Sequence, residues 1–405
     1  MLFFKKKQGF LGIDLGSTSL KLVELKSEKG VPTLVTYGYA ERAMGDIVRG
    51  NAEEVQKNAV DLLQKLFKSA GAESYQVISA LPNFSVFNSV ITLPVMSKKE
   101  LGQAVQWEAK KVVPMPLEEV ILDWEIIEEI NPDGATPQPS AITPASLPSE
   151  ASLPAETSLT KLEKENTESL SNQNTSGLGG ISNSSSDVRL ASSKERKLYR
   201  VLLTAASRSL VKKYVEIFRL ANLQLLAIET EAFALARALV GKDEATTMII
   251  DSSAVTTDIV IIEKGIPVLN RSIDVGGVTL TRAIANMLNI DFKRAEQFKR
   301  DVGLNGTSKI PAIIEQALKP VVEEINYSLN LYQNKAGQTI EKVILSGGSA
   351  YLPNLDSYFS KLLNVKVIIG DPWSRVAYPA DLKPALQEVA PRFAVAIGLA
   401  LRQVE

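Results

Sequence analysis

The sequence contains two segments of matching pattern, Ile13–Val23 (IDLGSTSLKLV) and Ile250–Val260 (IDSSAVTTDIV), and this match limits the folds that the chain can adopt. In each segment an apolar run ends in an Asp, small and hydroxyl residues follow, and a second apolar run begins. Two apolar runs around a short turn of such residues are typical of a β-hairpin. The match therefore predicts two similar hairpins with tight tips.

Both hairpin tips have the composition of a phosphate-binding loop. Small residues let backbone N–H groups approach phosphate oxygens, and Ser or Thr hydroxyls add further donors. Because Asp14 and Asp251 would repel a polyphosphate, their presence suggests a Mg²⁺ between them, held largely through water. Two facing hairpins of this kind would hold a nucleoside triphosphate from both sides. Either hairpin alone is more simply a structural turn, and the duplication favours the phosphate interpretation.

The composition excludes several kinds of chemistry. The chain has no Cys and no His, which removes disulfides, thiol nucleophiles, Ser-His triads and the usual zinc ligands. Lys plus Arg number 45 and Asp plus Glu number 46, so no overall field attracts nucleic acid or an acidic membrane. We therefore expect no nucleic-acid partner.

The start of the chain predicts no export. Its basic residues are followed by the apolar stretch Phe10–Leu15, which Gly12 and Asp14 interrupt, so a signal peptide is not expected. No apolar run reaches the roughly 18–20 residues that span a bilayer. We interpret Met1–Gln8 as a solvated lead-in to the first strand, with contact to a membrane surface as the alternative. The absence of Cys fits a reducing compartment.

Residues 131–197 differ from the rest of the chain. They are crowded with Ser, Thr, Pro, Asn and Gly and contain no aromatic residue. Such a segment buries too little apolar surface to offset its ordering entropy, so we expect a disordered insertion. A strand is predicted on each side of it, at Val120–Glu128 and Tyr199–Ala205. If these two strands pair antiparallel, the insertion is an outsized hairpin loop that leaves the topology unchanged.

A third segment, Ile344–Ala350, has a pattern that accompanies the two hairpins in a known superfamily. Ile344–Ala350 reads as a strand that ends in Ser-Gly-Gly-Ser, where a flat base and its ribose could lie against backbone without side chains. The three segments, in this order, resemble the actin-like ATPase superfamily, which includes actin, MreB, FtsA and the sugar kinases. The chain also resembles the PilM family of type IV pilus assembly proteins in the stretches Leu93–Leu101, Glu108–Pro114, Glu118–Trp124, Asp274–Gly277 and Ala295–Lys299.

The resemblance implies an α/β, actin-like ATPase fold with two lobes around a nucleotide cleft. It places the core of the first lobe at 1–85 and 206–247, closed by a helix at 392–405. A small strand-helix-strand-strand subdomain is expected at 86–130, with its final strand at 198–205.

For the second lobe, the resemblance implies a core at 248–277 and 341–391, with a helical upper subdomain at 278–340. The disordered insertion at 131–197 then falls within the terminal hairpin of the small subdomain.

Residue roles follow from the same resemblance. It assigns phosphate binding to a first loop with Asp14, Gly16, Ser17, Thr18 and the nearby Lys21, and to a second loop with Asp251, Thr256 and Thr257. Contacts with the ribose and base are assigned to Glu296 and Lys299 on one helix, and the adenosine motif is Gly347, Gly348 and Ser349. Mg²⁺ is assigned to Asp14 and Asp251. Lys21 could instead form a salt bridge at the strand end, and Glu296 with Lys299 could be a surface ion pair.

The catalytic interpretation rests on Glu231, which matches the residue that orients the attacking water in actin-like ATPases. Two departures weaken it, because Ser253 stands where the family has Gly and Ala232 where it has Pro. With no His in the chain, Glu231 would have to position water alone. The sequence therefore predicts nucleotide binding with, at most, slow ATP hydrolysis.

The PilM resemblance implies a scaffold that holds the N-terminal cytoplasmic tail of a PilN-like inner-membrane protein. Such a protein lies in the cytoplasm, peripheral to the inner membrane through its partner, contacts other pilus assembly-platform proteins, and could self-associate. We place the tail in a groove beside the helix Lys98–Val112, lined by Leu101, Trp107 and Met115. Packing of Trp107 against the neighbouring subdomain is the alternative.

Other actin-like proteins give competing functions. An FtsA-like filament protein of cell division would carry a C-terminal amphipathic membrane helix, and the related type II secretion L protein would carry a membrane span. The sequence predicts neither. A sugar or acetate kinase would need a general base for a substrate hydroxyl, and no persuasive candidate is apparent.

Overall fold

A computed structural model describes residues 9–41, 52–130, 197–336 and 339–404. The predicted disordered insertion, except Lys197, and the basic start of the chain lie outside these residues. The strands are β1 (Phe10–Leu15), β2 (Ser19–Glu28), β3 (Val31–Glu41), β4 (Gln76–Leu81), β5 (Val86–Pro94), β6 (Val120–Ile130), β7 (Leu198–Ser207), β8 (Gln224–Thr230), β9 (Thr247–Ser252), β10 (Thr257–Glu263), β11 (Ile266–Ile273), β12 (Lys342–Ser346) and β13 (Lys366–Ile369).

The α-helices are α1 (Ala52–Ala70), α2 (Lys98–Val112), α3 (Arg208–Leu220), α4 (Glu231–Leu235), α5 (Gly277–Leu288), α6 (Phe292–Val302), α7 (Lys309–Ala336), α8 (Leu355–Leu363), α9 (Lys383–Val389) and α10 (Ala394–Leu401). A π-helical turn, Ala236–Val240, continues α4. Among the described residues, no helix is long and apolar enough to cross a membrane.

Two five-stranded sheets share one topology. Their strand orders are β3-β2-β1-β4-β8 and β11-β10-β9-β12-β13. In each sheet the first three strands in sequence pair antiparallel, and the last two add in parallel. The two matched segments thus form equivalent hairpins, β1–β2 and β9–β10, in two sheets of the same topology, and the predicted pair of hairpins is confirmed.

The two hairpins also share their register. Asp14 lies opposite Lys21 across β1 and β2, and Asp251 lies opposite Asp258 across β9 and β10. Each Asp is the next-to-last residue of its strand and follows at least three buried residues, because the central strand of each sheet is covered on both faces. The sheets therefore present two Asp-bearing hairpin tips at equivalent positions.

A separate three-stranded sheet, of order β5-β7-β6, forms the small subdomain with α2. β6 and β7 pair antiparallel, which confirms that the insertion joins two partners of one hairpin. Ser97 and Glu100 form a capping box at the start of α2. Leu101 is only 1% exposed and packs in the core of this subdomain, so its predicted place in a peptide groove is wrong.

Helix α10 is buried at every residue and passes between the first sheet and α4. Gly12 of β1 and Gly398 of α10 allow this approach. A Cβ added at Gly12 would lie 2.0 Å from the carbonyl oxygen of Ala396, and one at Gly398 would lie 1.9 Å from that of Ala234. The helix is therefore in backbone contact with both neighbours, which explains why glycine stands at these two positions.

Candidate functional site

The first loop, Gly16–Thr18, is open. Among the described residues, no hydrogen bond engages the backbone N–H groups or the side chains of this loop. Lys21 forms a 2.7 Å salt bridge with Asp14, as one of the two predicted alternatives has it. Its ammonium nitrogen also lies beside the loop, 3.5 Å from where a Cβ on Gly16 would stand. Three free amides and a nearby ammonium group make this loop suited to an anion.

Four carboxylates converge near the two hairpin tips: Asp14, Glu231, Asp251 and Asp258. Burial raises the pKa of Glu231 well above its ordinary range, and the charges of Asp258 and Asp14 raise it further. One carboxylate oxygen of Glu231 accepts a 2.9 Å hydrogen bond from the backbone N–H of Asn83. A second hydrogen bond joins the turn after β4 to the start of α4, since the backbone N–H of Ala232 donates to Asn83 Oδ1 at 3.1 Å.

The two Asp residues of the second hairpin retain protons more readily than exposed carboxyls. Burial raises the pKa of Asp251 to about 6, against a hydrogen bond from Ser346 and the charge of Lys21. Burial raises the pKa of Asp258 to about 7, although Ser272 donates a hydrogen bond to it, and the charge of Asp251 adds to the increase. A concentration of negative charge with one lysine favours the approach of a cation.

Direct coordination of a metal by three protein ligands is not built into this site. Among the described residues, no group of three or more carboxylates is arranged to hold a metal ion. Asp14 and Asp251 nevertheless lie close enough for the charge of one to raise the pKa of the other. The pair fits an ion that keeps most of its waters, as Mg²⁺ commonly does.

The second loop, Ser253–Thr256, differs from the first because its donors are used internally. The Ser253 hydroxyl accepts hydrogen bonds from the backbone N–H groups of Val255 and Thr256, at 3.3 and 3.1 Å. The predicted ligand Thr257 is buried, and its hydroxyl donates to the carbonyl of Val275 at 2.6 Å. Thr257 therefore ties the second loop to the segment before α5, whereas Thr256 stays at the tip.

The Ser-Gly-Gly-Ser turn packs against Ser252, the last residue of β9, just before the second loop. Gly347 has a positive φ of 82°, and an added Cβ would lie 2.3 Å from the carbonyl oxygen of Ser252. The next residue, Gly348, is exposed, and the side chain of Arg392 is the neighbour nearest to it, with Nε 3.9 Å from an added Cβ. Gly347 is thus required by packing, while Gly348 leaves open backbone beside the loop. Ser349 donates its backbone N–H to Ser252 at 3.1 Å.

Glu296 and Lys299 form a partly buried pair rather than a surface one. Lys299 is 9% exposed and donates to Glu296 at 2.7 Å, and to the Gly277 carbonyl and Thr281 hydroxyl, both at 3.0 Å. Burial lowers the pKa of Lys299. Although burial opposes it, hydrogen bonds from Lys299 and Thr281 hold the pKa of Glu296 below its ordinary value. The pair fixes the start of α5 behind the second loop.

Sequence reasoning missed three residues of this site. Asp258 reads as part of an apolar strand, although the internal match places it opposite Asp251 as Lys21 stands opposite Asp14. Asn83 lies in a short turn after β4, where no local pattern indicates its long-range contact with Glu231. Gly276 packs against the second loop, with an added Cβ only 2.7 Å from Ala254.

The predicted groove residues lie apart from this cluster. Trp107 is 70% exposed, so the alternative of packing against a neighbouring subdomain does not hold among the described residues. Lys110 places its ammonium group 5.6 Å from the centre of the Trp107 ring. Met115 is partly buried against the core of the small subdomain.

Two sheets of one topology, each with an Asp-bearing hairpin of matched register, give the fold of the actin-like ATPase class. Within that class, the chain belongs to the family of the type IV pilus assembly protein PilM, whose sequence profile matches residues 12–139 and 187–404. This membership confirms the resemblance found in the sequence.

The chain is similar to several solved structures, of which the first supports this assignment. The chain is 26% identical to a chain of a "PilM-PilN type IV pilus biogenesis complex", with a TM-score of 0.71 over 98% of both chains. It is also similar to the ethanolamine utilization protein EutJ from Carboxydothermus hydrogenoformans, with 16% identity, a TM-score of 0.47, and 96% of this chain and 88% of that chain covered. The ADP-bound MreB5 of Spiroplasma citri gives 14% identity, a TM-score of 0.48, and 98% and 96% coverage.

Proposed function

We propose that this protein is an ATP-binding scaffold of the type IV pilus inner-membrane assembly platform, where it binds the N-terminal cytoplasmic tail of a PilN-like membrane protein. The observation that carries the proposal is the similarity over 98% of both chains to the solved PilM-PilN complex. The protein would then work in the cytoplasm, at the inner face of the membrane, and be held there by its partner. Other platform proteins are further contacts of such a scaffold.

The hairpin tips support nucleotide binding. The open amides of Gly16, Ser17 and Thr18 suit phosphate oxygens, and Lys21 lies close enough to add a positive charge. Asp14 and Asp251 would hold Mg²⁺ through its waters, and the ion would neutralise charge between the carboxylates and the phosphates. The exposed backbone of Gly348 suits the adenosine, with Glu296 and Lys299 at its ribose.

The same cluster supports slow turnover at most. Glu231 is the predicted orienting residue for water, but its raised pKa favours the protonated form, which accepts a proton poorly. One of its oxygens is also held by the backbone of Asn83. The site thus fits nucleotide binding better than rapid hydrolysis.

Replacing Asp14 by Ala should weaken the binding of Mg²⁺–ATP by about tenfold or more, which corresponds to about 1.4 kcal/mol. The variant loses the carboxylate that faces the metal and leaves Lys21 without its 2.7 Å partner. Isothermal titration calorimetry with and without Mg²⁺ gives the measurement. Asp301→Ala, which removes an exposed carboxylate of α6, is the control. Equal affinities of the Asp14 variant and the parent would remove Asp14 from the site.

We place the peptide groove beside α2, at Trp107 and Met115. A large ring that is 70% exposed on the outer side of a helix suits an interface, where aromatic side chains contribute much of the binding energy. Lys110 and Lys111 beside it are also exposed, although Lys111 pairs with Glu108 at 2.8 Å. An extended apolar tail could cover the ring and pair its backbone along the groove.

Trp107→Ala should weaken binding of a PilN-like tail peptide by about 30-fold, or about 2 kcal/mol, the size of an interface hot spot. ATP affinity should not change, because the ring touches none of the nucleotide residues. Fluorescence anisotropy of a labelled peptide measures the first quantity and calorimetry the second. Met287→Ala removes a side chain that is 62% exposed on the second lobe and serves as the matched control. Parental peptide affinity in the Trp107 variant would place the groove elsewhere.

A further inference from the structure

The second loop already contains an acceptor of its own. The Ser253 hydroxyl lies between the backbone N–H groups of Val255 and Thr256, accepting from both at 3.3 and 3.1 Å. The hydroxyl donates in turn to the carbonyl of Thr256 at 3.0 Å. The Ser253 N–H is also engaged, because it donates to the same carbonyl at 2.8 Å. The first loop, whose amides are free, has no such arrangement.

The second loop is also held from behind. The first amides of α5, those of Gly277 and Val278, donate to the carbonyls of Ser253 and Ala254 at 3.0 and 2.9 Å. The backbone of Gly276 packs closely on Ala254 and Val255 of the loop, and that of Gly347 packs on Ser252 just before the loop. Its amides can therefore become available by rotation of the Ser253 side chain, without any movement of the backbone.

We propose that the Ser253 hydroxyl competes with a phosphate oxygen for the amides of the second loop and so weakens the binding of nucleoside triphosphate. This inference rests on the proposed function, because it needs the hairpin tips to be the phosphate site. A hydroxyl oxygen accepts from the same two donors as a phosphate oxygen does, but carries no charge. Bound phosphate must first displace it, and the displaced hydroxyl loses its contacts with the Val255 amide and with the amide, carbonyl and hydroxyl of Thr256.

Ser253→Ala removes the internal acceptor and leaves the clamped backbone unchanged. We expect the variant to bind Mg²⁺–ATP about fivefold more tightly than the parent, a change of about 1 kcal/mol. Inorganic tripolyphosphate, which lacks the nucleoside, should show the same increase in competition with a fluorescent ATP analogue. Ser253→Thr keeps the hydroxyl and should retain parental affinity. Ser17→Ala, which removes a hydroxyl of the first loop that makes no hydrogen bond to the described residues, should weaken binding instead.

The direction of the change separates this inference from a merely structural effect. Damage to the loop would weaken binding, whereas removal of a competitor strengthens it, with circular dichroism and the melting temperature confirming the fold of each variant. If the parent binds ATP and Ser253→Ala binds it equally or less tightly, the inference is wrong while the proposed function stands. If neither protein binds ATP, both are wrong. If only Ser253→Ala binds ATP, the inference is supported, and the Ser253 hydroxyl prevents binding in the parent.

Discussion

Replacing Gly398 by Ala is expected to lower the free energy of unfolding by about 3 kcal/mol and the melting temperature by about 4–5 °C. In an exposed helix the same change would stabilise, since Ala has the higher helix propensity by about 0.5–1 kcal/mol. Here the new methyl group would stand 1.9 Å from the carbonyl oxygen of Ala234. That atom belongs to the backbone of α4, so no side-chain rotation can relieve the contact.

The surroundings of Gly398 increase the cost of any shift. Its carbonyl oxygen accepts a 2.6 Å hydrogen bond from Arg237, which is also paired with Glu229 at 2.7 Å. Moving α10 away from α4 would stretch the Arg237–Gly398 hydrogen bond and open the core around the helix.

Gly102 of α2 supplies a matched control for this prediction. An added Cβ there meets only the ring of Trp124, at 4.0 Å, so Gly102→Ala should raise stability by about 0.5–1 kcal/mol. Chemical denaturation of the two variants, followed by circular dichroism, compares them directly. Equal stability of Gly398→Ala and the parent would mean that α10 is not in backbone contact with α4.

Local patterns in the sequence account for much of the first sheet and of the small subdomain. The apolar residues Val55, Ala59, Leu62, Leu63, Leu66 and Phe67 recur with the helical period, and helix α1 spans Ala52–Ala70. The capping box sets the start of α2. The hairpin tips were found because each combines an Asp with small residues between apolar runs. In each of these cases, residues close together in the sequence determine the local structure that they form.

The elements that the sequence did not predict depend on distant partners. Strand β8, Gln224–Thr230, is the edge of its sheet, and β13 has only four residues, Lys366–Ile369. Each is a strand because a parallel neighbour supplies its hydrogen bonds, and parallel pairing leaves no local turn signal. The last helix, predicted from Arg392, begins at Ala394 because Ala390–Phe393 forms a 3₁₀ turn.

Some residues of the candidate site can be found from local sequence motifs, whereas the roles of others depend on packing against distant residues. Asp14 and Asp251 could be found from motifs, whereas the importance of Asp258 comes from burial beside Asp251 and Glu231. Burial of Lys299 against Gly277 and Thr281 likewise depends on how α5 and α6 pack. Motif reading therefore identified residue types at the tips, and only the packed structure shows which of their donors are free.

Asp258→Asn is expected to stabilise the nucleotide-free protein at alkaline pH and to remove part of its pH dependence. In the folded parent, burial raises the pKa of Asp258 from an ordinary value of 3.8 to about 7. A raised carboxyl pKa means that the folded state binds a proton that the unfolded state releases. The resulting stability is fully present below the unfolded pKa and is lost as the pH rises through about 7.

Asparagine has no proton to lose, and its side-chain oxygen can still accept from Ser272. The stability of the variant relative to the parent should therefore increase by about 2–3 kcal/mol between pH 5 and pH 8. Urea denaturation in the presence of EDTA, at several pH values, measures the two curves. Asp301→Asn, at an exposed carboxyl of α6, is the control and should follow the parent. Parallel curves for the Asp258 variant and the parent would show that Asp258 carries its charge in the folded protein without cost, and that the carboxylate cluster is open to water.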